Sequence, residues 1–87
     1  MAKKVIKFWA SWCGPCKVYA PAFEKVKQEL EGEIEFQEVN VEEDTEGLAA
    51  EYKVRGIPHT VVLEDGVKVK EQSGRLGEQQ LRDFILN

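Results

Sequence analysis

Cys13 and Cys16, separated by Gly14 and Pro15, are the residues of this chain whose type and spacing most directly imply chemistry. Two residues three apart share a helix face, so the sulfurs of such a pair can reach bonding distance. Pro15 is compatible with a first helical turn, where its missing N–H has no partner to lose. A helix starting here places Cys13 at its N-terminus, where unpaired amides and the positive end of the dipole stabilise a thiolate and depress its pKa. Cys16, one turn inside, is expected to lie deeper than Cys13 and to keep its proton until it is needed. The asymmetry implies a division of labour in which Cys13 attacks a disulfide and Cys16 resolves the mixed disulfide.

Other readings of the pair compete. A structural disulfide across so short a loop contributes only roughly 2 kcal/mol by chain entropy, and it requires an oxidising compartment for which the chain shows no signal. A zinc site needs three or four ligands, and beyond the two cysteines there are only His59 and carboxylates, with no second Cys-x-x-Cys. Two inert cysteines at this spacing stay open on the motif alone. The exchange chemistry itself needs no bound cofactor and no metal.

The remaining composition sets the frame for that chemistry. With 87 residues, residues 1–87 are expected to form a single domain. The chain is 43% hydrophobic with a net charge of −4, a balance that argues against nucleic acid or an anionic membrane as its main partner. No stretch has the length of a membrane span, and the N-terminal residues lack the apolar run of a signal peptide, so a cytoplasmic protein is expected.

The elements that must hold the pair follow from patterning. Val5 to Trp9 is β-prone and leads into the cysteine loop. A helix is predicted from Pro15 to about Glu31, with Tyr19, Phe23, Val26 and Leu30 on its inner face, a kink at Pro21 and a stop at Gly32. Glu35 to Val41 reads as a second strand. Asp44 or Thr45 is expected to cap a short helix through Tyr52 that buries Leu48, Ala49 and Tyr52. Gly56-Ile57-Pro58 precedes a third strand, His59 to Glu64, and Asp65-Gly66 turns it into a fourth, Val67 to Glu71. Its alternating Lys68 and Lys70 suit a sheet edge. Leu81, Phe84 and Ile85 mark a final helix. The predicted order is βαβαββα, an α/β fold with a minimal four-stranded mixed sheet and three helices, the first two strands parallel and the last two a hairpin.

Phe8-Trp9-Ala10-Ser11-Trp12-Cys13-Gly14-Pro15-Cys16-Lys17 resembles the thioredoxin family. The resemblance continues through Ala20-Pro21, Val39-Asn40-Val41, Tyr52-Lys53-Val54-Arg55-Gly56-Ile57-Pro58, Asp65-Gly66 and Gly74, and so spans nearly the whole chain. It implies a thioredoxin fold, with Cys13 as nucleophile, Cys16 as resolving thiol and Pro58 as a cis-proline facing the disulfide. Ile57 would offer backbone hydrogen bonds to an extended substrate segment. Trp12, Gly14, Pro15, Ile57 and Gly74 would form the docking surface, although Trp12 has core packing as its alternative.

Two departures from the family stand out. The family's usual extra N-terminal strand and helix have no counterpart before Val5, so one sheet face is expected to lose a cover. Lys7 stands where the family usually carries a buried Asp behind the resolving cysteine, and Glu38 stands where a Lys often pairs with it. Lys7 is in phase with Val5 and Trp9, and Glu38 with Ile34 and Phe36, on strands expected to be neighbours. The expectation is a partly buried, charge-exchanged pair near Cys16, with Glu38 or water moving the proton; two solvent-exposed side chains are the alternative. His59, the single histidine, is expected to be a partly exposed strand residue rather than a tuner of the thiols. Glu42-Glu43-Asp44 lacks the spacing of a calcium loop and reads as a solvated helix entry.

The expected function is reduction of protein disulfides, with electrons from a thioredoxin-reductase-like donor or a small thiol. The Gly-Pro spacer resembles the reducing class rather than the oxidants. No nucleic acid or membrane partner is expected, and the chain is expected to be a monomer. A glutaredoxin-like protein coupled to glutathione, and a non-catalytic binding or assembly module that keeps the thioredoxin surface, are the alternatives.

Overall fold

The computed structural model describes residues 2–87, which run β1 (Lys3–Trp9), α1 (Gly14–Leu30), β2 (Glu35–Asn40), a 3₁₀ turn (Val41–Glu43), α2 (Leu48–Glu51), β3 (His59–Glu64), β4 (Val67–Ser73) and α3 (Glu78–Leu86). The strands form one sheet in the order β2-β1-β3-β4, with β1 parallel to β2 and antiparallel to β3, and β3 antiparallel to β4. This is the expected βαβαββα arrangement. Parallel β1 and β2 need a long connection, which α1 supplies.

Alternation along β1 divides the core in two. Val5 packs with Val62 of β3 against Tyr19, Phe23 and Val26 of α1 and Leu81 and Ile85 of α3. Ile6 and Phe8 face the other side with Val39, Val61 and Leu63, covered by Leu48, Ala49, Tyr52 and Val54. Lys7, in phase with Val5, therefore points into the α1 layer. The β1–β2 register sets Lys7 opposite Glu38, and the β1–β3 register sets it opposite Thr60.

Local chemistry explains the element ends. Asp65 and Gly66 both take positive φ (52° and 84°), as a type I′ hairpin turn requires. β4 continues past Glu71 to Ser73, because Gln72 and Ser73 still pair with Thr60 and His59. It is an edge strand, as expected, and carries a register shift opposite Val62 and Leu63. The helix after β2 starts later than predicted. Asn40 caps a separate 3₁₀ turn by accepting the Glu42 amide at 3.0 Å. Asp44 then reaches across Gly47 to accept the amides of Leu48 (2.9 Å) and Ala49 (2.8 Å). Asp44 thus serves the helix terminus as expected, from outside a helix that begins at Leu48.

These bonds give the fold an acid limit. The amides of Ala49 and Leu48 hold the Asp44 carboxyl below its ordinary value, and Arg82, bonded at 2.6 and 2.9 Å to both oxygens of Glu29, does the same for Glu29. A carboxyl depressed in the folded state adds stability above its unfolded pKa and loses it as pH falls through its folded pKa. Asp44→Asn is therefore expected to flatten the acid side of the stability profile, read as the urea midpoint against pH, and to leave the profile above neutrality parallel to wild type.

Candidate active site

Cys13 is the N-cap of α1, with an extended backbone (φ −87°, ψ 107°). Its Sγ accepts the Cys16 amide at 3.2 Å, one of the orphan donors that every helix start exposes. Pro15 sits in the first turn, and the helix runs through Pro21 to Leu30. Cys13 and Cys16 are joined as a disulfide, their Cα atoms 5.2 Å apart. Exposure does not separate them as the sequence led us to expect. Cys13 is 4% and Cys16 3% accessible, because both pack in one cluster with Ala10, Trp9, Val41 and Ile57. Their asymmetry lies in helix position: one sulfur is the cap, and the other residue supplies the capped amide.

The rim around the disulfide is built from separate elements. Trp12 is 66% exposed and is therefore not a core residue. Gly14 and Pro15 are exposed beside it. The Ile57–Pro58 peptide is cis, Ile57 packs against the cysteine cluster, and Pro58 is buried. The Gly74 amide donates to the Pro58 carbonyl at 2.8 Å, which brings the end of β4 to the same side of the sheet. Gly74 has φ 91°, a conformation that a side chain would strain. A groove of about 390 Å³ runs between Trp12 and Ile57 over Val41, Ala49 and Val54, with Arg55 at its margin.

Behind the disulfide lies a second cavity, of about 340 Å³, lined by Cys16, Lys7 and Glu38 together with Trp9, Ala10 and Lys17. Lys7 Nζ lies 3.1 Å from Glu38 Oε1, and the two side chains are 4% and 36% exposed. The alternative in which both face solvent does not describe Lys7. Its ammonium also lies 4.6 Å from the Phe23 ring centroid and 5.8 Å from that of Tyr19, a placement that holds a cation by the ring quadrupoles. Burial pushes the Tyr19 phenol up to about 12, against the opposing pull of its 2.7 Å hydrogen bond with Thr60. Tyr19 therefore stays neutral beside the amine. Lys27 of α1 reaches the other Glu38 oxygen at 3.6 Å. Sequence reasoning missed Lys27, yet its place one turn after Phe23 on the inner side of α1 was the available signal.

His59 is 6% exposed, so the expectation of a partly exposed strand residue is corrected. Its ring is buried because both nitrogens are bonded, Nδ1 with Ser73 Oγ at 2.8 Å and Nε2 with Glu71 Oε1 at 2.9 Å. Among the described residues, no group of three His, Cys, Asp or Glu side chains is placed to hold a metal. Glu42 hydrogen-bonds Ser11 at 3.3 Å, and Asp44 is occupied with α2.

Residues 1–87 match the thioredoxin family profile. The chain belongs to the thioredoxin family. It is 39% identical over 88 residues to the thioredoxin of Mycoplasma genitalium, across 99% of this chain and 84% of that one. It is 37% identical over 81 residues to the thioredoxin of Haemophilus influenzae, across 93% of this chain and 75% of that one. The X-ray structure of Fasciola hepatica thioredoxin superposes with a TM-score of 0.86 at 39% identity, covering 97% of this chain and 78% of that chain. As a member of the thioredoxin family the chain is a thiol–disulfide oxidoreductase, with Cys13–Cys16 as its redox-active disulfide and dithiol–disulfide exchange as its reaction. Thioredoxins act as disulfide reductases on protein disulfides and are themselves reduced by a reductase. None of the described helices is long and apolar enough to cross a membrane.

Proposed function

We propose that Cys13 is the attacking thiol and Cys16 the resolving thiol of a protein disulfide reductase that works as a single cytoplasmic domain and a monomer. The observation that carries this reading is the Cys16 amide aimed at Cys13 Sγ, 3.2 Å away, at the start of a 17-residue helix. In the reduced protein the same amide and the helix dipole favour a Cys13 thiolate. That thiolate attacks one sulfur of a substrate disulfide, forming a mixed disulfide and releasing the other sulfur as a thiol after it takes up a proton. Cys16 then loses its proton and attacks Cys13 Sγ, which expels the second substrate sulfur. Two electrons and two protons have passed to the substrate, and the Cys13–Cys16 disulfide remains. A reductase or a small thiol restores the dithiol; no cofactor need be resident.

The substrate would lie as an extended segment across Ile57 and Pro58, pairing with the Ile57 backbone, between a rim of Trp12, Gly14 and Pro15 and the turn at Gly74. Glu38 would receive the Cys16 proton across the shared cavity, directly or through water, while Lys7 fixes the carboxylate in place. Support for this role is the 3.1 Å pair and the cavity that Cys16 shares with both residues. Cys16→Ser tests the assignment of roles. Incubated reduced with a protein disulfide, it is expected to accumulate a mixed disulfide through Cys13, visible as a higher-mass band that dithiothreitol removes. A mixed disulfide formed instead by Cys13→Ser, through Cys16, would reverse the assignment.

A further inference from the structure

We propose that His59 is a positioning residue for protein substrates: its ring clasps the two segments of the docking surface to each other. This rests on the reading above that Ile57–Pro58 and Gly74 meet the substrate. His59 directly follows Pro58, and its strand partner Ser73 directly precedes Gly74. The Gly74 amide bonds to the Pro58 carbonyl at 2.8 Å. That bond closes the far end of the β3–β4 ladder, the place where paired strands fray most easily. The His59 ring adds two more ties to β4, to Ser73 Oγ at 2.8 Å and to Glu71 Oε1 at 2.9 Å. Lys68 Nζ takes the second Glu71 oxygen at 2.8 Å, so the carboxylate is itself held in place. A carboxylate only accepts, so Nε2 carries a proton toward Glu71. In the neutral ring Nδ1 then accepts from the Ser73 hydroxyl, and in the imidazolium it donates to the hydroxyl oxygen. The tie exists in either state. Because His59 is buried while Ser73, Glu71 and Gly74 are exposed, the ring anchors an otherwise open strand end to the core.

A clasp of this kind acts on docking and leaves the sulfur chemistry alone. Ser73→Ala and Glu71→Ala each release one end of the ring from an exposed position, where the fold is not at risk. Insulin reduction with dithiothreitol as donor is expected to show a KM raised about twofold to tenfold, the span of one hydrogen bond, with kcat unchanged. Ser73→Thr keeps the hydroxyl and is expected to restore KM. Reduction of dithiobis-nitrobenzoate, too small to span both segments, is expected to proceed at the wild-type rate in all three variants. Ile57→Asp, which spoils the docking surface directly, serves as the reference. If KM rises in Ile57→Asp but not in Ser73→Ala or Glu71→Ala, the clasp is overturned and the docking surface stands. If Ile57→Asp also leaves KM unchanged, the docking reading fails and the clasp with it. A matched fall in the rates with insulin and with the small disulfide would place His59 on the thiols and overturn the proposal.

Discussion

Cys13→Ser is expected to bring insulin reduction down to the rate of the donor thiol alone, in a protein that remains folded. The hydroxyl fails as a nucleophile because it does not ionise near neutrality and offers no route to a disulfide intermediate. The fold survives for two reasons. A disulfide between residues three apart stabilises by only roughly 2 kcal/mol in the chain-entropy model, so its loss is tolerable. Serine is also a preferred N-cap, and its oxygen can accept the Cys16 amide that Cys13 Sγ now accepts at 3.2 Å. Thermal unfolding of Cys13→Ser is accordingly expected at or above that of the reduced wild type. Activity and stability therefore separate, which distinguishes a lost nucleophile from a lost fold. A binding module would behave differently: both cysteine variants would keep full biological activity while losing turnover of the test disulfide.

The pair and the framework that carries it were legible in the sequence because their signals are local. A Cys-x-x-Cys with proline in a first helical turn, an Asp-Gly hairpin and two periodicities of apolar residues each act within a few positions. The parallel β1–β2 crossover and the β3–β4 hairpin followed from connection rules, and the phase of Lys7 with Val5 placed the amine on the α1 side of the sheet. Legibility ended where several elements converge. Nothing near Asp44 announces that its carboxylate will reach past Gly47 to amides four and five residues on. The burial of His59 depends on Ser73 and Glu71, more than ten residues away, and on β4 extending two residues beyond its predicted end at Glu71. The near-equal burial of the two cysteines was hidden for the same reason, since Val41 and Ile57 close over both from other parts of the chain. The docking rim was readable only through family resemblance, because single exposed residues such as Trp12 and Gly74 carry no pattern of their own.

The charge pair behind Cys16 yields the sharpest asymmetric prediction. Glu38→Gln is expected to destabilise the protein by about 1–3 kcal/mol, and Lys7→Met by less than about 1 kcal/mol, because the partners are buried unequally. Replacing the carboxylate by an amide keeps an acceptor but removes the opposing charge from an ammonium whose side chain is 4% exposed and packed on ring faces. Full burial of both partners would place the cost at about 3–5 kcal/mol, but the cavity beside Lys7 allows solvent relief. Removing the amine leaves a carboxylate that is 36% exposed and still has Lys27 at 3.6 Å. Methionine meanwhile fills the lysine's path and packs its sulfur against Phe23 and Tyr19. Urea unfolding of the two single variants and the double variant gives the coupling directly. The same variants divide structure from mechanism. If Glu38 receives the Cys16 proton, Glu38→Gln slows resolution of a pre-formed mixed disulfide near neutrality and recovers as hydroxide takes over at higher pH. Lys7→Met, which retains the carboxylate but releases it from its tie, slows resolution less than Glu38→Gln does. An unchanged pH profile in Glu38→Gln, whatever its stability, would make the pair a structural replacement for the family's usual charges and leave proton transfer to solvent.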